Sequence, residues 1–307
     1  IQFIKFNSKQ SKKLFLKKLS KKLLIIYISI CLITNIARLI DENMYIHFVD
    51  VDQGDCTFIQ TRNNKKILID GGGNEIGEDY VGENILLPYL LNRRSKVIDY
   101  IFISHFDSDH CQGLLYIMQN IKVKHVIISK QFEYNENYKK FLKIAKQEKI
   151  NIKIANKGDK IYIEKNLYFE VLWPDALEPI SNNKINNNSL VCKMVYKKFS
   201  ILFTGDIEKI AEEKIIETYK NETNKLKATI IKIPHHGSKT SSTMDFIEKV
   251  KPQEALIGVG KKNKFGHPAI TTIQTLQNQN IKIYRTDEMG EITIKTNGKK
   301  YKVTKLL

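Results

Sequence analysis

At 307 residues and 42% hydrophobic content, the chain is long enough for one large α/β domain or two small ones, and its apolar share excludes a polymer without a core. The formal charge is +17, but residues 1–40 carry nine basic residues and no acidic one, leaving 41 Lys and Arg against 33 Asp and Glu in the remainder. That smaller excess is compatible with a polyanionic substrate such as nucleic acid, and the abundance of Lys, Asn and Ile throughout makes it a weak pointer by itself.

In chain order, eight lysines precede an apolar stretch over 23–37, and Arg38 follows. As a helix that stretch is about 22 Å long, short of the roughly 30 Å hydrocarbon core of a bilayer. Snorkelling by Lys21, Lys22 and Arg38, with Leu39 and Ile40, makes up the difference. A signal peptide has the same outline, but no small-x-small cleavage site follows, and the Ile before Cys31 makes a poor lipoprotein signal. The expectation is a basic juxtamembrane segment over 1–22, then an uncleaved transmembrane or signal-like helix over 23–40. The lysine block lies on the cytoplasmic side, with the remainder outside the cell membrane. The chain starts with Ile, not Met, which suggests the tail of a longer polypeptide with further spans upstream.

Beyond residue 44 the pattern alternates between strands and helices. Strands are expected over 45–51, 57–61 and 66–69, followed by the breaker Asp70-Gly71-Gly72-Gly73. A helix over 84–91 and a strand over 98–104 lead to the string Ser104-His105-Phe106-Asp107-Ser108-Asp109-His110. Next come a helix over 114–120, a strand over 123–129, a helix over 137–148 and strands over 151–155, 160–164 and 167–173. The stretch 176–188, rich in Asn, Ser and Pro, reads as a loop between two halves of similar plan. The second half has strands over 190–196, 200–204, 228–233, 255–259 and 282–284. Helices over 207–219, 243–250 and 271–279 alternate with them. A hairpin over 291–295 and 300–305 turns at Asn297-Gly298. Such halves suggest two packed sheets with helices outside. Cys31, Cys56, Cys111 and Cys192 show no paired spacing and no disulfide framework.

Two imidazoles and two carboxylates within six residues are costly to gather without a cation between them. With a divalent metal, His105, Asp107, Asp109 and His110 are ligands of the type transition metals select. Further polar groups close other apolar runs: Asp206 in Thr204-Gly205-Asp206, the adjacent imidazoles of Pro234-His235-His236-Gly237-Ser238, and His267 in Gly266-His267-Pro268. Any one of these has a bland explanation; Asp206, for instance, could be a helix N-cap. Together, each at a strand end, they form a set able to meet at one sheet edge.

With these motifs assembled, the chain resembles the metallo-β-lactamase fold hydrolases, and within them the carboxy-terminal domain of ComEC-type DNA-uptake competence proteins. The resemblance covers about residues 44–300 and includes Phe48-Val49-Asp50-Val51-Asp52-Gln53-Gly54-Asp55, Asp70-Gly71-Gly72-Gly73 and Asn186-Asn187-Asn188-Ser189-Leu190-Val191. It implies an αββα sandwich of two mixed sheets over 44–307 and two divalent metal ions, manganese or zinc. It assigns His105 and Asp107 to one metal position and Asp109 and His110 to the other. Asp206 would bridge both, and His235 or His236 would complete the second; His235 is taken here as the ligand. Asp109, His236 and His267 are the implied catalytic groups, for orienting the nucleophile, binding phosphate and protonating the leaving oxygen. Asp70, and Asp55 with it, would support the ligand loop through hydrogen bonds.

Two departures from the wider family matter. Asp107 stands where His is usual, and Asn186-Asn187-Asn188 stand where a His usually precedes the strand leading to the bridging Asp. Both enrich one metal position in oxygen and shift preference from zinc toward manganese or magnesium. A smaller departure is Asp52, at a usual Gly. The resulting expectation is a phosphodiesterase or nuclease degrading DNA at the outer membrane face. Its partners would be DNA, the membrane, an upstream channel region of the same polypeptide and other DNA-uptake proteins. The alternatives are a hydrolase of another surface phosphodiester such as teichoic acid, and a non-catalytic domain that holds DNA at a channel mouth.

Overall fold

The computed structural model describes residues 8–40, 43–74, 77, 79–222 and 224–305. The chain divides into two compact units, residues 1–42 and 43–307. The first contains helix α1 (Ser8–Ile40), which runs unbroken through lysine-rich and apolar stretches alike. Residues 1–7 of the expected basic segment lie outside the described residues. Large apolar side chains such as Leu23, Ile25, Ile26 and Ile30 are exposed on α1. Among the described residues no helix is long and apolar enough to cross a membrane. The segment expected over 23–40 is helical, and its apolar run is bounded by Lys21 and Lys22 on one side and Arg38 on the other.

In the second unit the strands are β1 (Met44–Phe48), β2 (Thr57–Gln60), β3 (Lys66–Ile69), β4 (Val97–Ile103), β5 (Lys122–Ser129), β6 (Asn151–Ala155), β7 (Lys160–Glu164) and β8 (Leu167–Trp173). They continue with β9 (Val191–Tyr196), β10 (Phe199–Phe203), β11 (Ile230–Lys232), β12 (Glu254–Ile257), β13 (Lys282–Arg285), β14 (Ile292–Thr296) and β15 (Tyr301–Lys305). Among the described residues they form two sheets, ordered β15-β14-β1-β2-β3-β4-β5-β6 and β13-β12-β11-β10-β9-β8-β7. Both are mixed: β3 to β6 pair in parallel, as do β10 to β13, and the remaining pairs are antiparallel.

Residue alternation explains the layering, because successive side chains of a strand point to opposite faces. Phe102 packs between the sheets, with its ring centroid 4.4 Å from that of Phe169, while Ile101 and Ile103 belong to the core on the other face. That outer core is closed by α2 (Leu87–Asn92), α3 (Ser108–Asn120) and α4 (Glu136–Gln147), through Leu90, Leu114, Ile117 and Phe141. On the second sheet, Ile231, Ala255 and Ile257 meet Ile215, Phe246 and Leu276. Beyond the short α5 (Lys184–Asn187), these come from α6 (Lys209–Thr218), α7 (Met244–Val250) and α8 (Ile270–Asn278). The order is helix, sheet, sheet, helix.

Three local differences from the expected elements have physical reasons. The helix over 84–91 is a π-helical turn, Gly82–Leu86, running into α2. The helix over 114–120 begins at Ser108, six residues early, because its first turn is polar and shows no apolar period. Asp109 and His110 therefore sit on a helix N-terminus and not in a free loop. The loop over 176–188 contains α5, and a one-turn helix, α9 (Thr286–Met289), precedes the last hairpin.

Candidate metal centre

The chemistry-bearing groups follow the carboxyl ends of β3, β4, β10, β11 and β12, where open α/β sheets place their ligands. Asp70 closes β3 in the left-handed region, φ 53°. Its N–H donates to the Phe102 carbonyl at 2.9 Å, prolonging the β3–β4 ladder. One carboxylate oxygen accepts the Ser104 N–H at 2.8 Å, and the other accepts His110 Nδ1–H at 3.0 Å. The glycines after it let α3 approach: a Cβ at Gly73 would collide with the Ser108 carbonyl, and one at Gly113 with the Gly71 carbonyl. The Asp-Gly-Gly-Gly breaker thus seats the first turn of α3 and aims His110.

After β11 the chain makes a strained turn. His235 and His236 both lie at positive φ, 51° and 52°, a conformation costing on the order of 1–3 kcal/mol per residue. The Ser238 N–H to His235 carbonyl bond at 2.8 Å and the Ser241 hydroxyl on the Pro234 carbonyl at 3.0 Å hold it. His236 Nδ1–H donates to the Gly258 carbonyl at 2.8 Å, which fixes the ring and turns Nε2 inward.

The ring nitrogens and carboxylates converge. His110 Nε2 is 3.2 Å from Asp206 Oδ1 and 3.2 Å from His236 Nε2. His236 Nε2 is 3.3 Å from Asp206 Oδ2 and 3.2 Å from Asp109 Oδ2. Asp55, His110, Asp206 and His236 each offer an atom within 4.8 Å of the others, all four buried. His105 adjoins this group, its ring 4.1 Å from that of His110. Its Nδ1 pairs with Ser104 Oγ at 2.9 Å, while Nε2 is buried without a hydrogen-bond partner among the described residues, 3.7 Å from Asp107 Oδ2.

These residues fit a divalent metal. Both His110 and His236 use Nδ1–H on oxygen acceptors, so two Nε2 lone pairs face each other at 3.2 Å unless a proton or cation lies between them. The buried Nε2 of His105, unpaired among the described residues, is a second polar atom that a cation would satisfy. Imidazole and carboxylate are the donor set of zinc and manganese centres.

Electrostatics follow from the packing. Burial pushes the imidazoles of His110 and His236 down, but the Asp206 carboxylate and its neighbours outweigh it, raising His110 well above the ordinary range and His236 to about 10. Burial raises Asp206, and the charges of His110, His236 and Lys232 reverse this to hold it well below the usual carboxylate range. Asp107 is pushed up to about 6, chiefly by burial. His267 falls to about 4, through burial and then the charge of His236.

Lys232 is the residue that sequence reasoning missed. Fully buried on β11, its ammonium lies against Asp55, donates to the Gly205 carbonyl at 3.1 Å and sits 3.4 Å from Asp206 Oδ1. The available signal was a lysine in the apolar run Ile230-Ile231-Lys232-Ile233. Alternation puts it on the face of Ile230, which belongs to the core between the sheets. Asp55, expected to support the ligand loop, lies in the cluster itself.

The two adjacent imidazoles occupy different places. His236 is in the cluster, whereas His235 lies at the rim, its side chain 22% exposed and Nδ1 3.7 Å from Glu208 Oε1. The assignment of His235 as ligand finds no geometric counterpart, because the turn at positive φ sends the two rings apart, their planes at 70°. His267 stands over the rim, with ring centroids 5.6 Å from His235 and 6.4 Å from His236 and a buried Nδ1 without a partner among the described residues. Within the Asn run, Asn187 and Asn188 spend their amides on backbone carbonyls, while Asn186 Oδ1 is buried without a partner among the described residues.

Comparison with known proteins gives the family and the fold. The family profile described as Metallo-beta-lactamase superfamily matches residues 49–261. "ComE operon protein 3" of Bacillus subtilis is 34% identical over 258 residues, covering 80% of this chain and 32% of that protein. "Competence protein ComA" of Neisseria gonorrhoeae is 25% identical over 244 residues, covering 79% of this chain and 31% of the other. The chain spans about a third of the length of these relatives. Among solved structures, CmlA, a diiron beta-hydroxylase from Streptomyces venezuelae, shares the fold with a TM-score of 0.50 at 12% identity, over 86% of this chain and 54% of that one.

Proposed function

The chain belongs to the metallo-beta-lactamase superfamily, as a hydrolase domain of the ComEC type, and from that premise we propose that it is a metal-dependent phosphodiesterase cutting DNA during uptake. The observation that carries the reading is the convergence of Asp109, His110, Asp206 and His236, with His105 and Asp107 alongside. Asp109, His110 and His236 would hold one divalent ion and His105 with Asp107 another, with Asp206 shared between them. When bound, manganese or zinc ions supply Lewis-acid activation of water and phosphate.

The protein's own groups do the rest. Asp109, part-exposed at the mouth, accepts a hydrogen bond from the attacking water and orients it. His267, at the rim with its ring stacked on that of His236, is placed to bind a phosphate oxygen and to donate to the leaving oxygen. Asp70 holds His110 in one tautomer, and the Gly258 carbonyl does so for His236, so neither ring reorients on binding. The competence proteins among the relatives support DNA as substrate and a membrane-associated setting.

The test is cleavage of labelled single- and double-stranded DNA by the full chain with manganese, magnesium or zinc, beside Asp206→Ala. Metal-dependent cleavage lost in Asp206→Ala is expected. DNA binding without cleavage under any metal would favour a holding domain instead.

A further inference from the structure

The rim loop over 260–267, read as Gly260-Lys261-Lys262-Asn263-Lys264-Phe265-Gly266-His267, carries an aromatic ring with no structural duty. Phe265 is 62% exposed, and a lone exposed apolar side chain is unremarkable in itself. Its setting is not ordinary. The Phe265 ring stacks on His267, with centroids 5.7 Å apart and planes at 27°. His267 in turn stacks on His236 at 6.4 Å and 22°. Three near-parallel rings thus step from solvent down to the imidazole whose Nε2 lies in the metal cluster.

The loop is stiff where it needs to be. Asn263 Nδ2 donates to the carbonyls of Gly260 at 3.0 Å and His267 at 2.8 Å, and Asn263 Oδ1 accepts the His267 N–H at 2.9 Å. The loop is also tied to the opposite sheet by the Gly260 N–H on Gln53 Oε1 at 3.2 Å. An exposed ring already held in place loses little conformational freedom when a flat partner lands on it. Lys261, Lys262 and Lys264, all exposed, surround it with positive charge.

We propose that Phe265 is a seat for an unpaired nucleobase, with Lys261, Lys262 and Lys264 drawing in the backbone, so that the site takes single-stranded nucleic acid. Stacking needs an open base face, which a paired and stacked duplex interior does not present. A base on the outer face of Phe265 would lead its strand along the ring ladder and bring a phosphodiester toward the cluster. The inference rests on the phosphodiesterase reading and adds the substrate form and the residue that selects it.

The experiment uses the full chain, fluorescein-labelled oligothymidylate and an abasic oligomer of equal length. Binding is measured in EDTA, and cleavage of oligothymidylate with manganese. Phe265→Ala should weaken oligothymidylate binding roughly tenfold, the scale of one lost stack, leave the abasic oligomer unchanged and show its cleavage loss in KM. Phe265→Trp should restore both. Equal loss on the two oligomers, or no loss on either, overturns the seat while cleavage by the parent chain keeps the phosphodiesterase reading standing. A parent chain that neither binds nor cuts oligothymidylate overturns both.

Discussion

Replacing Lys232 by Met should destabilise the protein strongly without metal and much less with it. The ammonium is fully buried, lies against Asp55 and is 3.4 Å from Asp206 Oδ1. At an effective dielectric constant of about 20, one such pair is worth about 5 kcal/mol. Met fills similar volume and removes the cost of burying the ammonium, so the net loss is smaller. Breaking a buried pair from one side costs about 3–5 kcal/mol, because a carboxylate is left uncompensated. For a unit of this size each kcal/mol moves Tm by about 2–4 °C, which puts the fall at roughly 10 °C. A divalent ion supplies positive charge to the same carboxylate, so manganese should return most of that loss. Thermal unfolding of the parent chain and Lys232→Met, each in EDTA and in manganese, reads this directly. An identical manganese-induced rise in both proteins would refute the reasoning, since it would mean that Lys232 and the metal do not answer the same charge.

His236→Ala should lower metal retention in equilibrium dialysis by about 10- to 100-fold, whereas His235→Ala should change it little, because only the His236 ring enters the cluster. Asp70→Asn should lower metal affinity about 10-fold with the fold intact, read by chelator competition, since the amide cannot accept from both Ser104 N–H and His110 Nδ1–H. Glu291, paired with His47 and Arg93, supplies a pH signature of its own. Burial pushes its carboxyl up, but the hydrogen bond from His47 and the charges of His47 and Arg93 reverse this to about 2. A depressed carboxyl stabilises above its unfolded value near 4.5, and that stability disappears as pH falls toward 2. Glu291→Gln should therefore cost about 1–3 kcal/mol at pH 6 and flatten the loss of stability between pH 4.5 and 2 in urea titrations. An unchanged acid slope would show that the His47–Glu291–Arg93 cluster contributes nothing.

Much of this architecture could be read from residues alone. The alternating strands and the glycine breaker after Asp70 are local patterns, and period two and φ freedom are written in consecutive residues. What escaped was set by distant partners. Nothing near His235 and His236 says which ring turns inward; that depends on the Gly258 carbonyl, brought alongside by β12. Lys232 reads as an intrusion in an apolar strand until Asp55 is seen across from it, 177 residues earlier in the chain. The early start of α3 was hidden for a related reason: its first turn is held by Asp70 and the glycines, not by apolar spacing of its own.

The cluster draws on both sheets, with Asp70, His105 and His110 following strands of one, and Asp206, Lys232 and His236 on or after strands of the other. No half of the sandwich contains it. During synthesis the first sheet's contributions emerge more than 95 residues before Asp206, so a nascent chain lacks a complete cluster. Docking of the two layers completes the cluster. Any chemistry that depends on the whole cluster therefore waits until the interior between the sheets has closed.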